Sequence, residues 1–236
     1  MSIFRREPPE QLPGIWALGQ DCALCGAASG TSLVCADCEA ALPRVGRACE
    51  RCALALPVGG VCGACRLRPP AFDDALAAFE YAFPLDRMVQ RFKYAADLAL
   101  GAWLARRLAR RCARAARPDV LVAPPLTRRR LRERGFNQSV ELARVVGREL
   151  GIVHRAFALE RLRDALPQQA LGARARRANL LHAFRARRRF DGAHVALVDD
   201  VMTTGATAEA LARVLREAGA ARVSVWSVAR TPPPRT

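Results

Sequence analysis

The sequence predicts an α/β protein, a Rossmann-like parallel sheet with helices between its strands, preceded by a small cysteine-rich module. Three observations carry that prediction. Eight of the nine cysteines fall between positions 22 and 65. From residue 74 onward, apolar runs of strand length alternate with helical stretches, the pattern of a parallel sheet. One of those runs, Val195 to Val198, ends on two carboxylates and a Thr/Gly loop.

The cysteines read Cys22-x2-Cys25-x9-Cys35-x2-Cys38 and then, at identical internal spacing, Cys49-x2-Cys52-x9-Cys62-x2-Cys65, an exact repeat of the first set. Two tight C-x-x-C knuckles turn four sulfurs toward one point, which suits tetrahedral Zn²⁺. Eight ligands imply two ions, with one ion per repeat expected and interleaved ligation left open. Four disulfides would require an oxidising compartment. Nothing points to export: residues 1–14 contain Arg5, Arg6, Pro8 and Pro9 and lack the apolar region of a signal peptide. No apolar run reaches the ~18 residues of a membrane span, so no transmembrane segment and a cytoplasmic location are expected. Each repeat is too short to bury much apolar surface, so metal binding supplies most of its folding free energy. With every ligand a cysteine, both sites read as closed and structural. Residues 1–70 carry seven arginines against six acids, and that weak charge favours docking on the following domain over nucleic-acid contact. The expected organisation is a tail (1–14), a double zinc ribbon (15–70), an α/β domain (71–231) and a second tail (232–236).

Asp74 to Phe83 reads as extended. Pro84 suits a helix start, and Leu85, Met88, Val89 and Phe92 recur at i, i+3, i+4 and i+7, one apolar helical face. Asp97 to Arg117 reads as a second helix, with Arg106, Arg107, Arg110, Arg111 and Arg114 along one side and Cys112 in its core pattern. Asp119 to Ala123 is a short buried strand stopped by Pro124 and Pro125. Leu126 to Gln138 reads as a loop carrying five arginines at the carboxyl end of that strand, where α/β sheets bind ligands. Val140 to Leu150 is helical and closed by Gly151. Arg155 to Leu162 reads as a strand, and the basic stretch that follows, to about residue 181, as a lid between core elements. His194 to Asp199 is a strand, Ala206 to Gly219 a helix, and Ala221 to Ala229 a last strand.

Charge is concentrated in the middle of the chain. The formal net charge is +16, and Lys93 is the only lysine among the 38 basic residues. Residues 104–189 hold 23 arginines against six acids. Such a field attracts polyanions, although a GC-rich genome also favours arginine.

The stretch Val195 to Thr207 combines a buried strand, two acids, a hydroxyl-rich loop and a helix N-terminus. Unpaired N–H groups and the helix dipole there favour a phosphate. The carboxylates suit ribose hydroxyls or Mg²⁺. The stretch closely resembles the phosphoribosyl-pyrophosphate (PRPP) signature of type I phosphoribosyltransferases. The order of motifs is more specific. The double cysteine ribbon is followed by Arg91-Phe92-Lys93-Tyr94 and by Arg134-Gly135-Phe136-Asn137-Gln138. Then come Arg163-x4-Gln168-x2-Leu171-x4-Arg176-x2-Asn179-x3-Ala183-Phe184 and the PRPP motif. From Cys22 to Thr231 this resembles the ComF family, amidophosphoribosyltransferase-like proteins linked to bacterial competence and DNA uptake. Thr127, Ala165 and Ala175 depart from that family's usual His, Thr and Glu.

The resemblance implies a sheet of type I phosphoribosyltransferase kind behind the zinc ribbons. It implies PRPP held by Asp199, Asp200, Val201, Met202, Thr203, Thr204, Gly205, Ala206 and Thr207, with Asp199 and Asp200 as the catalytic pair and Mg²⁺ as cofactor. Arg130, Arg134, Arg163 and Arg176 would hold pyrophosphate, since guanidinium forks grip phosphate oxygens in bidentate fashion. Single-stranded DNA and the competence helicase machinery are the implied partners, in handling incoming DNA during transformation. Only one helix, one strand and a tail follow the motif, so no hood over an acceptor base is legible. A salvage transferase, moving the pentosyl group of PRPP to a base, and a non-enzymatic PRPP sensor are the alternatives.

Overall fold

The structure is a computed structural model in which residues 19–162 and 183–232 are described. It divides into two compact units, residues 1–41 and 42–236. The first contains the first cysteine repeat. Its knuckle closes through Gly26 N–H to Cys22 O (2.9 Å) and Cys22 N–H to Ala27 O (2.7 Å), ahead of helix α1 (Ala36–Ala40). The second unit opens with the second repeat, which copies this geometry. Ala53 N–H donates to Cys49 O and Cys49 N–H to Leu54 O, both at 2.8 Å, ahead of α2 (Gly63–Leu67). The residue after each first knuckle is left-handed, Gly26 at φ 74° and Ala53 at φ 57°. Glycine reaches that region without strain; alanine reaches it at a cost of about 1–2 kcal/mol.

The remainder of the second unit is the expected α/β fold. Strands β1 (Asp74–Glu80), β2 (Val120–Val122), β3 (Val153–His154), β6 (His194–Met202) and β7 (Arg222–Arg230) form one parallel sheet in the order β1-β7-β6-β2-β3. Its centre is apolar: Val195 to Val198, Val223, Val225 and Trp226 are buried. Helix α3 (Leu85–Tyr94) buries Leu85, Met88, Val89 and Phe92, the face set by their spacing. Helix α4 (Leu98–Cys112) packs on β1, β7 and α6 (Gln138–Leu150). Gly101 lets α4 approach α3, since a Cβ there would fall 2.3 Å from a Phe92 ring carbon. Helix α7 (Ala206–Glu217) connects β6 to β7. At the amino ends of the strands, Ser224 Oγ bridges Asp74 of β1 (3.0 Å) and His194 Nε2 of β6 (2.8 Å).

The free edge of β1 is covered by the chain leading into the second repeat. Glu80 N–H donates to Pro43 O (2.7 Å), Val45 N–H to Ala78 O (3.4 Å) and Ala75 N–H to Glu50 O (3.3 Å), and Arg44 bridges Phe79 antiparallel. The second ribbon therefore docks on the sheet.

Four local expectations change. Leu126 to Gln138 is not all loop: Arg128–Arg134 forms helix α5, with the Thr127 hydroxyl capping Arg130 N–H and Gly135 ending it at φ 74°. The helix after Asp97 stops at Cys112. Arg155 to Leu162 yields only β4 (Leu159–Arg161), which pairs antiparallel with β5 (Phe184–Ala186) outside the main sheet. The strand at 194 runs on to Met202, because its ladder with β7 continues through Asp199–Ser227 to Met202–Arg230.

Candidate functional site

The two carboxylates sit near the carboxyl end of β6, beside β2, the end of the strands at which open α/β sheets bind ligands. Neighbouring strand residues point to opposite faces, and the two acids take different partners. Asp199 Oδ1 accepts from Ser139 Oγ (2.8 Å), at the first turn of α6. Asp200 Oδ2 lies 3.1 Å from Lys93 Nζ, near the end of α3. Asp200 is 5% exposed, so this ion pair is shielded from water and an unpaired charge there would be costly. Burial first, and then the adjacent Asp200 charge, push the Asp199 carboxyl up to about 7, against the hydrogen bond from Ser139.

The segment Gly135 to Ser139 places this machinery. Gly135 ends α5, and the Phe136 ring packs 5.6 Å from Phe92. Asn137 caps α6, its Oδ1 accepting from Ser139 N–H (3.0 Å) and Val140 N–H (3.4 Å). Its Nδ2 donates to Pro124 O (3.0 Å), just past β2. The cap thus ties the end of β2 to the start of α6 and aims Ser139 at Asp199.

After Met202 the chain turns through Thr203, Thr204 and Gly205, the last left-handed at φ 78°. The Thr204 hydroxyl accepts from Ala206 N–H (3.3 Å), and the first intrahelical bond of α7 is Glu209 N–H to Gly205 O (2.8 Å). The N–H groups of Thr207 and Ala208 precede that bond and are available to an anion. Glu209 would oppose an anion there, but its carboxylate is taken by Ala71 N–H (2.7 Å) and Arg213 (2.6 Å).

Arg230, at the end of β7, buttresses the loop from behind. Its Nη1 donates toward the carbonyls of Met202 (3.0 Å), Thr203 and Thr231 (2.9 Å), while Nε donates to Cys52 O (2.9 Å).

Of the residues expected from sequence, Asp199 to Thr207 form one continuous strand–loop–helix site. Arg130 and Arg134 lie on α5, and among the described residues neither is a partner of the carboxylates. The Arg134 guanidinium instead sits 5.1 Å above the ring of Tyr94, itself 74% exposed. Arg163 and Arg176 lie outside the described residues. Lys93, Ser139 and Arg230 were not singled out as site residues. A signal existed for Lys93, the one lysine in a chain that otherwise uses arginine.

The eight cysteines form two groups, Cys22, Cys25, Cys35, Cys38 and Cys49, Cys52, Cys62, Cys65, with the ligand atoms of each group within 4.8 Å of one another. Ligation is therefore sequential, one ion per repeat. Sulfurs on a tetrahedron of Zn–S bonds of about 2.3 Å stand about 3.8 Å apart. Cys25–Cys35 and Cys52–Cys62 are both 3.8 Å apart. Cys35 N–H points at Cys22 Sγ and Cys62 N–H at Cys49 Sγ, both at 3.3 Å, as thiolate ligands require. Both groups fit structural zinc. Cys112 is buried in α4 and its thiol is pushed up by that burial, so it is an inert core residue.

Comparison with known proteins gives two family matches: the double zinc ribbon domain over residues 15–66 and the phosphoribosyl transferase domain over residues 100–234. The DNA utilization protein YhgH of Salmonella typhi is 36% identical, over 84% of this chain and 90% of that protein. Competence protein F of Haemophilus influenzae is 33% identical, over 72% of this chain and 78% of that protein. Among solved structures, the allosteric regulatory enzyme of purine biosynthesis aligns with a TM-score of 0.43 and 22% identity. That alignment covers 59% of this chain and 30% of that one. No helix among the described residues is long and apolar enough to cross a membrane.

Proposed function

The chain belongs to the ComF family of phosphoribosyltransferase-like proteins, and on that premise we propose that it binds PRPP and handles incoming single-stranded DNA in the cytoplasm during DNA uptake. The observation that carries the PRPP reading is the Asp199–Asp200 pair running directly into the Thr203–Gly205 loop and the N-terminus of α7. The 5′-phosphate takes the N–H groups and hydroxyls of Thr203 to Thr207. Asp199 and Asp200 accept the ribose 2′- and 3′-hydroxyls. Their negative charge favours the positive charge that develops at the anomeric carbon as pyrophosphate leaves, a contact worth up to ~3 kcal/mol where it strengthens in the transition state. Asp199 and Asp200 are the residues that would hold a Mg²⁺ arriving with PRPP, which would supply positive charge toward the leaving pyrophosphate. Arg130 and Arg134 approach the same end of the sheet from α5 and take pyrophosphate oxygens.

Lys93 gives the site an order of events. In the free protein it pairs with Asp200; when the ribose arrives, hydroxyl donors join Lys93 on the same carboxylate, so no buried charge is left alone at any stage.

The DNA reading is supported by the relatives named for competence and DNA utilization. It is supported also by exposed Tyr94, which carries the half-buried Arg134 of α5 over its ring, and by the exposed Arg128, Arg130 and Arg132 on the same helix. An aromatic ring with a guanidinium over it stacks bases irrespective of sequence.

Calorimetry with Mg²⁺-PRPP tests the first part: wild type gives saturable heat and Asp200→Ala gives none. Absence of heat with wild type would sink the PRPP reading. Retardation of an unstructured oligonucleotide tests the second, with binding that falls steeply between 50 and 200 mM salt, roughly 10³-fold or more if six or more phosphates are contacted. Failure to retard the oligonucleotide at low salt would leave the DNA role without support.

A further inference from the structure

We propose that the second zinc ribbon is part of the phosphate loop's scaffold, and that Arg230 carries the state of the Cys49/Cys52/Cys62/Cys65 site to residues 202–205. This deepens the PRPP reading and rests on Thr203 to Thr207 being the phosphate loop.

The argument starts from one guanidinium. Arg230 Nε donates to the carbonyl of Cys52, a residue whose own sulfur belongs to the second four-cysteine group. Nη1 of the same side chain reaches the carbonyls of Met202 and Thr203. Guanidinium is planar and rigid, so displacement of the Cys52 peptide displaces the groups that hold the loop. Cys52 is fixed from two sides, by its sulfur 3.8 Å from Cys62 and by the knuckle bond from Ala53 to Cys49. Both constraints depend on the four sulfurs staying together, which four thiolates do only around a cation. The same ribbon and the same loop face each other across a cavity of about 310 Å³, lined by Cys52, Cys62 and Cys65 on one side and by Thr204, Gly205 and Ala206 on the other. Pro69, Pro70 and Phe72 close that cavity at the junction with β1.

Three carbonyls and a fourth on a different structural element are more than an ammonium can serve. Lysine at 230 could satisfy the loop carbonyls or Cys52, but its point charge lacks the fork that spans both. Arg230 is thus a positioning residue: its donors are taken by backbone carbonyls, and it acts by holding the peptides of the loop.

The test uses the full-length zinc-loaded protein with three variants. Arg230→Lys is expected to retain two zinc per chain and bind PRPP about tenfold more weakly, in line with the loss of a charge-assisted hydrogen bond. Cys52→Ser is expected to lose one zinc, with a similar loss of affinity, and the double variant to show no further loss. Cys25→Ser also loses one zinc and reports the effect of metal loss in general. Amide hydrogen exchange of residues 202–207, measured without any ligand, is the second readout. It should accelerate in Arg230→Lys and Cys52→Ser and not in Cys25→Ser. This arm separates the two ideas: accelerated exchange with no PRPP heat in wild type would uphold the coupling and remove the ligand assignment. Unchanged exchange in folded Cys52→Ser, or equal effects of Cys25→Ser and Cys52→Ser, would overturn the coupling.

Discussion

Lys93 and Asp199 show how much of the site's behaviour is set by single side chains. Removing Lys93 leaves Asp200 buried without its cation, which costs about 3–5 kcal/mol in comparable pairs. Lys93→Met should therefore lower the melting temperature, and adding Asp200→Asn to it should restore part of the loss, because the second change removes the stranded charge. Asp199 behaves in the opposite sense to an ordinary surface acid. Its folded-state value near 7 exceeds that of an unfolded aspartate, about 3.9. Between those limits the folded chain binds more protons than the unfolded one, so stability falls as pH rises. Asp199→Asn should flatten that slope between pH 4 and 7 in a series of chemical denaturations; an unchanged slope would place the titration elsewhere. At this scale the sequence revealed the acids and the Thr/Gly loop, because strand, acid and hydroxyl are contiguous there. It concealed Ser139, which lies on a different element far from Asp199 in the chain, and Arg230, whose role depends on where β7 ends. Neither has a local pattern that separates it from other serines and arginines.

At the level of elements, long amphipathic helices were legible and short charged ones were not. α3 was readable from its apolar spacing, and α6 from its apolar face and its closing Gly151. α5 has no buried residue, so no periodicity announces it; only its ends, Thr127 and Gly135, carry helix signals. The strand read over Arg155 to Leu162 contains β4 but overruns it, because the partner that sets its length, β5, comes much later in the chain, at Phe184–Ala186. So short a strand is decided by its partner, not by its own composition. The crossing of α3 and α4 yields a sharp prediction. Gly101→Ala improves intrinsic helix propensity by about 1 kcal/mol, yet its methyl would collide with the buried Phe92 ring. Overpacking of this kind costs about 1–3 kcal/mol. Because Phe92 also supports Phe136, we expect net destabilisation on thermal melting together with weaker PRPP binding. A variant more stable than wild type would mean that α4 shifts freely on α3.

For the molecule as a whole, the spacing of the cysteines was enough to find two metal sites. The sulfur geometry then decided between sequential and interleaved ligation, which spacing alone could not. Elemental analysis should return two zinc per chain, and stepwise chelation should release them in two phases if the repeats differ in their surroundings. Docking of the second ribbon was expected from its weak charge, but the contacts that produce it join residues as distant as Cys52 and Arg230. Those are properties of the assembled chain.

The hydrogen bonds that Pro43, Val45 and Glu50 make with β1 have a further consequence. β1 is the outermost strand of an apolar sheet, and a strand in that position is a template for pairing with another molecule. The second ribbon is its shield. A chelator that strips the second ion should accordingly turn a dispersed protein into one that self-associates through β1. Light scattering should rise after chelation at micromolar protein and fall when zinc is restored promptly, before cross-strand pairing between molecules becomes irreversible. By this argument an ion bound in the second ribbon would keep neighbouring molecules apart as well as hold one molecule together.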